Sequence, residues 1–225
     1  MIVVTGASRG LGRAICVRLM SKGIGIFGIA RNANDLPFES ISCDVSNYEH
    51  LQLVAESLKK SGKKISGLIN AAGIASMNLA VTTPPESSKR IIETNLLGTI
   101  YCCQVFAPLM IRAKAGAIIN FSTIAVPLGL KGESVYVASK AGVEGFSRTF
   151  AREVSAFGIN VNCIAPGPID TELLKGISEE QKAEIVSRQV IQKNYSPDAV
   201  SDLVEILLDS RSSALSGQVL HVGGV

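Results

Sequence analysis

A few residues into the chain stands Thr5-Gly6-Ala7-Ser8-Arg9-Gly10-Leu11-Gly12, a glycine-rich stretch between two segments of different periodicity. Before it, Ile2-Val3-Val4 is an apolar, β-branched run that reads as a short buried strand. After it, Leu11, Ile15 and Leu19 fall on one face of a helix. Strand, tight turn and helix in that order are what a dinucleotide site requires. Glycines let the backbone approach a pyrophosphate, and the free N–H groups of the helix start meet its charge. The spacing is G-x-x-x-G-x-G, a variant of G-x-G-x-x-G, and glycines are common at strand-to-helix turns. The stretch therefore takes its weight from the rest of the chain. Gly6, Ser8, Arg9, Gly10, Leu11 and Gly12 are its candidate cofactor contacts.

The remaining sequence repeats the alternation. Ile24 to Ala30 reads as a second strand and closes on Arg31-Asn32. The residue at that place, about 20 beyond the glycine turn, meets the adenosine ribose; an acid there selects NAD, whereas an arginine accommodates the 2′-phosphate of NADP. Arg31, with Arg9 as a second cation and no acid beside them, favours NADP(H). Either arginine alone reads as an ordinary solvated charge. The stretch from Asn32 to Ser40 holds Pro37 and is too short for a full crossover helix, so this connection is trimmed. Ile41 to Val45 reads as a third strand, in which Asp44 and Val45 stand where an adenine would lie. Asp44 alternatively caps the next helix, as does Asn47. A helical stripe over Tyr48 to Ser61 leads to a fourth strand, Gly67 to Ile69, which delivers Asn70-Ala71-Ala72-Gly73. Asn70, Ala71 and Gly73 let the backbone pass close to a cofactor or simply form a tight loop.

A helix opened by Pro84-Pro85 carries Asn95, a polar residue in an apolar pattern. Ala117 to Phe121 is a fifth strand ending at Ser122-Thr123, and a helix comes next with Tyr136-Val137-Ala138-Ser139-Lys140. A sixth strand, Ile159 to Ala165, leads into Pro166-Gly167-Pro168. Thr171 to Gln192 reads as a polar helical lid, and a last helix from Pro197 and a strand at Gly217 to Val222 close the chain. With no linker, repeat or shift in composition, residues 1–225 read as one α/β domain with a doubly wound parallel sheet of about seven strands.

Tyr136 and Lys140, four apart on a helix, share a face. An ammonium beside a phenol favours the phenolate, which turns the tyrosine into a usable acid or base near neutrality. Such pairs also arise by chance on helix surfaces. Here the pair comes after a strand ending in two hydroxyls and shares the chain with a dinucleotide turn. A hydride carrier, a proton donor and a carbonyl-orienting hydroxyl are the parts needed to reduce a ketone.

On these residues the chain resembles the short-chain dehydrogenase/reductase family from end to end. Thr5 to Gly12 matches T-G-x-x-x-G-x-G, Asn70 to Gly73 matches N-A-A-G, Tyr136 to Lys140 matches Y-x-x-x-K, and Pro166-Gly167 with Thr171 matches P-G-x-x-x-T. The resemblance implies a Rossmann-type fold. It implies that Tyr136 protonates the carbonyl, that Lys140 holds the nicotinamide ribose and lowers the phenol's pKa, and that Asn95 keeps a relay water. It also implies cofactor contacts from Pro166, Gly167, Ile169 and Thr171. The family's catalytic serine lies thirteen residues before the tyrosine, where this chain has Thr123, with Ser122 beside it. A strand turns adjacent side chains to opposite faces, so one of the two enters the site, Thr123 being the first choice and Ser122 the reserve.

Within the family, Val135 to Phe146, Glu153-Val154 and Gly217 to Gly224 are most similar to 3-oxoacyl-(acyl-carrier-protein) reductases. That implies NADPH-dependent reduction of a 3-oxoacyl thioester, as in fatty-acid biosynthesis, and a homotetramer built through Pro85–Ala113 and Val135–Ala156. Arg112 and Lys114 are candidates for docking an acidic acyl carrier protein, although Phe157 stands where such enzymes have an arginine. A carbonyl or secondary-metabolite ketoreductase, and a non-catalytic NADP-binding regulatory subunit, are the alternatives.

The remaining composition excludes rather than selects. A net charge of +3 without a basic run gives no case for nucleic acid. No apolar stretch approaches the ~18 residues of a membrane span, and Met1 leads straight into the first strand, so a cytoplasmic protein is expected. Cys16, Cys43, Cys102, Cys103 and Cys163 form no C-x-x-C pair and read as reduced core thiols. Two isolated histidines, His50 and His221, suggest no metal site.

Overall fold

Strand β1 (Ile2–Thr5) is buried along its whole length, because its alternate residues feed two separate cores. Val3 packs on one side of the sheet, and Ile2 and Val4 on the other. A strand covered on both faces belongs in the middle of a parallel sheet. The computed structural model describes residues 1–75, 77–169 and 178–225. Among them β1 is joined by β2 (Ile26–Ala30), β3 (Glu39–Ser42), β4 (Gly67–Asn70), β5 (Gly116–Phe121), β6 (Ile159–Pro166) and β7 (Val219–Val222). All pairs are parallel, in the order β3-β2-β1-β4-β5-β6-β7. This is the doubly wound α/β fold expected from the alternation.

Helix α1 (Gly10–Ser21) lies on one face and contributes Ile15 and Leu19 to its core. The opposite face is covered by α2 (Tyr48–Lys60), α3 (Pro85–Ile111) and α4 (Ser134–Val154). Helix α5 (Glu179–Ser187) opens on a capping box at Ser178 and Gln181, and α6 (Pro197–Leu208) packs beside α1. The expected lid over 171–192 falls partly outside the described residues, as does Thr171; α5 is its described helical part.

Two details differ from the sequence reading, while the trimmed β2–β3 connection agrees with it. Strand β3 begins at Glu39 rather than Ile41, since its pairing runs from Phe27↔Glu39 to Ala30↔Ser42. Asp44 and Val45 lie beyond the strand. The trimmed β2–β3 connection contains no helix; Phe38 fills the place instead, its ring lying where a side chain on Gly28 would have to go.

The second difference concerns α3. Its most apolar 18-residue window has mean hydropathy 1.4, so by length and composition this helix is apolar enough to cross a membrane. Half of that window is buried inside the fold, where Cys102, Cys103, Phe106 and Met110 meet the sheet core. The apolar composition is accounted for by packing rather than by lipid. Midway, Glu93–Leu97 widens into a π-helical turn that carries Asn95.

Candidate active site and dinucleotide cleft

Where β1 gives way to α1 and β4 turns the other way, the C-terminal ends of the strands open a cleft of about 790 Å³. Open α/β sheets bind ligands at this switch point. The glycine turn forms one wall, with Ser8, Arg9 and Leu11 in the lining. Gly6 has φ +69°, and a Cβ there would lie 2.8 Å from the Ala71 carbonyl oxygen. A Cβ on Gly12 would collide with the Gly6 carbonyl. Both glycines therefore let the turn close on α1 and on the β4 loop, which is tied back by a hydrogen bond from Ala72 N–H to Thr5 Oγ1 at 3.1 Å. Gly10, with φ +55°, has nothing within 4 Å of a notional Cβ. Open space above the first residue of a helix whose Arg9 N-cap makes no side-chain capping bond suits a pyrophosphate. The residues fit a dinucleotide.

One end of the cleft is polar. Arg31, exposed just past β2, lines the cleft with Asn32, Asn34 and Asp44. Asp44 Oδ1 accepts from Ser46 N–H and Oγ at 2.9 and 2.7 Å, and the cap of α2 is Asn47, which accepts from His50 N–H. Of the two readings of Asp44, helix capping is thereby removed. Val45 is buried and packs against Gly98 of α3. Ala71 and Gly73 line the middle of the cleft, whereas Asn70 is buried below it, donating to Asn120 Oδ1 at 2.8 Å.

At the far end lie Tyr136 and Lys140, both on the cleft and both buried, at 8% and 5% exposure. Lys140 Nζ donates to the Phe121 carbonyl at 2.8 Å and lies 6.0 Å from the Tyr136 ring centre. Burial dominates both titrations. It pushes the Tyr136 phenol up, with Glu133 adding to the rise, while a hydrogen bond from Thr123 opposes it. It pulls the Lys140 ammonium down to about 8. The pair's own spacing suggested a lowered phenol; burial of the ring outweighs that effect.

The two hydroxyls lie just past the end of β5 at Phe121, and of the two it is the reserve, Ser122, that lines the cleft, not the first choice, Thr123. Thr123 Oγ1 accepts from the Ala125 N–H at 3.2 Å. Ser122 lines the cleft but sends its Oγ into the core, donating to Glu144 Oε1 at 2.7 Å. Asn95 is fully buried, and its amide exchanges bonds with the Ile74 backbone, accepting at 2.8 Å and donating at 2.9 Å, while also donating to Ser139 Oγ at 3.0 Å. Its amide thus staples the loop after β4 to α4.

Pro166 lines the cleft, and Gly167 is pressed by the buried Gln189 side chain. Ile169 is buried and bridges to Tyr195. Arg112 and Lys114 lie between α3 and the start of β5, at the opposite end of the sheet from this chain's cleft, so they do not rim its mouth. Sequence reasoning missed Thr5, Ser139, Glu144 and Gln189. Glu144 had a visible signal, since it continues the Tyr136–Lys140 stripe by one more turn.

Residues 1–182 match the family described as short chain dehydrogenase. The chain is 31% identical to the 3-oxoacyl-(acyl-carrier-protein) reductase of Salmonella typhimurium, over 99% of this chain and 95% of the relative. It is 36% identical to carbonyl reductase family member 4 of Danio rerio, over 100% and 96%. Among solved structures, the ligand-free aldohexose dehydrogenase of Thermoplasma acidophilum superposes with TM-score 0.89 at 29% identity, covering 99% of this chain and 92% of that one.

Proposed function

The chain belongs to the short chain dehydrogenase family, and from that premise we propose that it reduces a ketone to a secondary alcohol with NADPH, the substrate being a 3-oxoacyl thioester. The observation that carries the reading is the buried Tyr136 beside Lys140 at one end of a cleft whose glycine turn fits a dinucleotide. When bound, the reduced nicotinamide supplies the hydride. Thr123 orients the substrate oxygen through its hydroxyl, and Tyr136 gives that oxygen its proton. Lys140 replenishes the proton inventory and holds the ribose side of the cofactor through its ammonium. A buried phenol stays protonated until the reaction draws on it, which suits a general acid. Arg31 and Arg9 support NADPH over NADH, by offering guanidinium groups to a 2′-phosphate.

The thioester class is supported by the similarity to 3-oxoacyl-(acyl-carrier-protein) reductases, and the acyl carrier protein is the macromolecular partner that this similarity brings with it. A simple carbonyl compound is the second reading, favoured by the higher identity to carbonyl reductase family member 4. A cytoplasmic homotetramer assembled through α3 and α4 completes the proposal. Steady-state rates on acetoacetyl-CoA with NADPH and NADH test cofactor and substrate together. Tyr136→Phe is expected to lower kcat by about a hundredfold or more while NADPH still binds. Equal turnover by Tyr136→Phe would leave a binding protein without this chemistry, and turnover of simple ketones alone would select the second reading.

A further inference from the structure

Gln189 stands two residues beyond α5, and its N–H donates to the Val186 carbonyl at 3.1 Å, so the helix carries its position. The side chain is only 2% exposed. Its Nε2 donates to the Lys193 carbonyl at 3.3 Å, whereas Oε1 is buried and meets no donor among the described residues. A buried amide oxygen without a donor is costly, so other contacts must keep it there. Those contacts are the backbones of two glycines. A Cβ on Gly167 would lie 2.3 Å from Oε1, and one on Gly223 would lie 2.2 Å from it, closer than real Cβ atoms come. The oxygen takes the volume that a side chain would fill at both places.

The two glycines belong to different segments. Gly167 follows Pro166, the last residue of β6 and part of the cleft lining. Gly223 follows β7, whose Val222 pairs with Pro166. Residues 189–191 run along this second segment: the Ile191 N–H donates to the Gly223 carbonyl at 2.8 Å, and a Cβ on Gly224 would lie 3.0 Å from Val190 Cβ. A long side chain ordinarily swings away from an obstacle. Gln189 has little freedom to do so, being almost wholly buried with both glycines pressed on the same oxygen. What holds it is packing, and what it holds is the turn after β6.

We propose that Gln189 is a positioning residue for the cofactor: its buried side chain, carried by α5, is wedged between Gly167 and Gly223 and so fixes the wall of the cleft that Pro166 lines. The inference rests on the reading of that cleft as the NADPH site. Gln189 itself is not part of the lining and acts through the turn. A methyl added to Gly167 would point at the Gln189 amide. The contact can therefore be altered from both of its sides.

The test compares Gln189→Ala, Gln189→Met, Gly167→Ala and the Gly167→Ala/Gln189→Ala double variant. It measures NADPH affinity by fluorescence, KM for NADPH and kcat with acetoacetyl-CoA, thermal melting, and the ligand-free crystal structures of wild type and Gln189→Ala. Gln189→Ala withdraws the wedge and is expected to weaken NADPH binding about tenfold, through lost preorganisation at one wall of the site. KM for NADPH should rise with it while kcat at saturation is little changed. Gln189→Met keeps the length without the amide and, since no donor faces Oε1, should bind NADPH within about threefold of wild type. Gly167→Ala drives a methyl against the oxygen and should also weaken binding about tenfold. In the double variant that methyl enters the space the amide has left, so binding should be tighter than in either single variant. Recovery of NADPH affinity by either route upholds the wedge. Wild-type NADPH affinity in Gln189→Ala overturns the proposal, whatever its melting temperature. So does a loss that neither methionine nor the double variant recovers, which is the mark of general fold support. If wild type binds NADPH without turning over acetoacetyl-CoA, the functional reading fails and the affinities still decide the positioning. If it binds no NADPH, the crystal structures decide it: a Pro166-Gly167 turn displaced in Gln189→Ala upholds the wedge, and an unmoved one overturns it.

Discussion

The phenol of Tyr136 and the ammonium of Lys140 are both held in their neutral-favouring direction by burial, and this gives each a measurable signature. Lys140 titrates near 8 when folded against about 10.5 when unfolded. Between those values the unfolded chain binds more protons, so this group's contribution to stability rises with pH across that window; below it the full cost of burying the ammonium is present. The buried thiols act the other way. Cys16, Cys103 and Cys163 are pushed up to about 12 by burial, so each withdraws stability as pH climbs above the unfolded thiol range. The lysine's part is therefore expected as a difference: urea unfolding of wild type and Lys140→Met should converge as pH rises from about 8 to about 10, and a constant gap would refute it. At Thr123, Thr123→Ser keeps the hydroxyl and should stay within about threefold of wild type, while Thr123→Val should cost about a hundredfold in kcat. Tyr136 and Lys140 were legible as a pair from their spacing together with the glycine turn, and Thr123 only through the family resemblance. The direction of the phenol's titration was not, because it depends on a burial that no spacing encodes. Asn95 was legible as a polar residue out of place, but its bonds to Ile74 and Ser139 bring together three separate segments.

Among the elements, the β1–α1 turn does two separable things with its glycines. Gly12 sits where any side chain would strike the Gly6 carbonyl, so Gly12→Ala must shift the turn itself. It is expected to lower stability by about 1–3 kcal/mol, the scale of local backbone strain, and to lower NADPH affinity with it. Gly10 faces open space and has only a left-handed φ of +55° to lose. Gly10→Ala should cost about 1–2 kcal/mol, yet its new methyl occupies the space offered to the pyrophosphate, so NADPH affinity should fall by tenfold or more. Thermal melting and NADPH titration on the two variants separate closing the turn from cradling the ligand. If Gly10→Ala bound NADPH as wild type, the cradle would be misplaced. Elements with strong periodicity, such as α1, α2 and α6, were readable from their apolar stripes. The start of β3 was not, since Glu39 and Ser40 are strand residues only by virtue of pairing with β2. Nor was the role of Phe38, which covers Gly28 in place of a crossover helix.

For the whole molecule, sequence patterns supply strands and helices in order, but the sheet order is a tertiary fact: β1 has β2 on one side and β4 on the other. That order brings the end of β2 and the glycine turn to one end of the cleft, and the ends of β4 and β5 to the other. It also carries Arg112 and Lys114 away from the cleft, which their place in the sequence did not reveal. Cofactor choice is thus an affair of the β2 end, about as far as the cleft extends from Tyr136, and it should be separable from catalysis. Arg31→Asp replaces a guanidinium facing the proposed 2′-phosphate by a carboxylate that repels it and can accept from a 2′-hydroxyl. A charge-assisted contact is worth about 1.5–3 kcal/mol, so kcat/KM with NADPH should fall by about ten- to a hundredfold and NADH should become the better substrate, with kcat at saturation little changed. Because Arg31 is exposed, the wild-type preference for NADPH should also weaken as salt is raised, whereas the variant's preference for NADH should respond far less. An NADPH preference indifferent to salt and to Arg31→Asp would move recognition of the phosphate away from Arg31, and a wild-type preference for NADH would overturn the choice of NADPH.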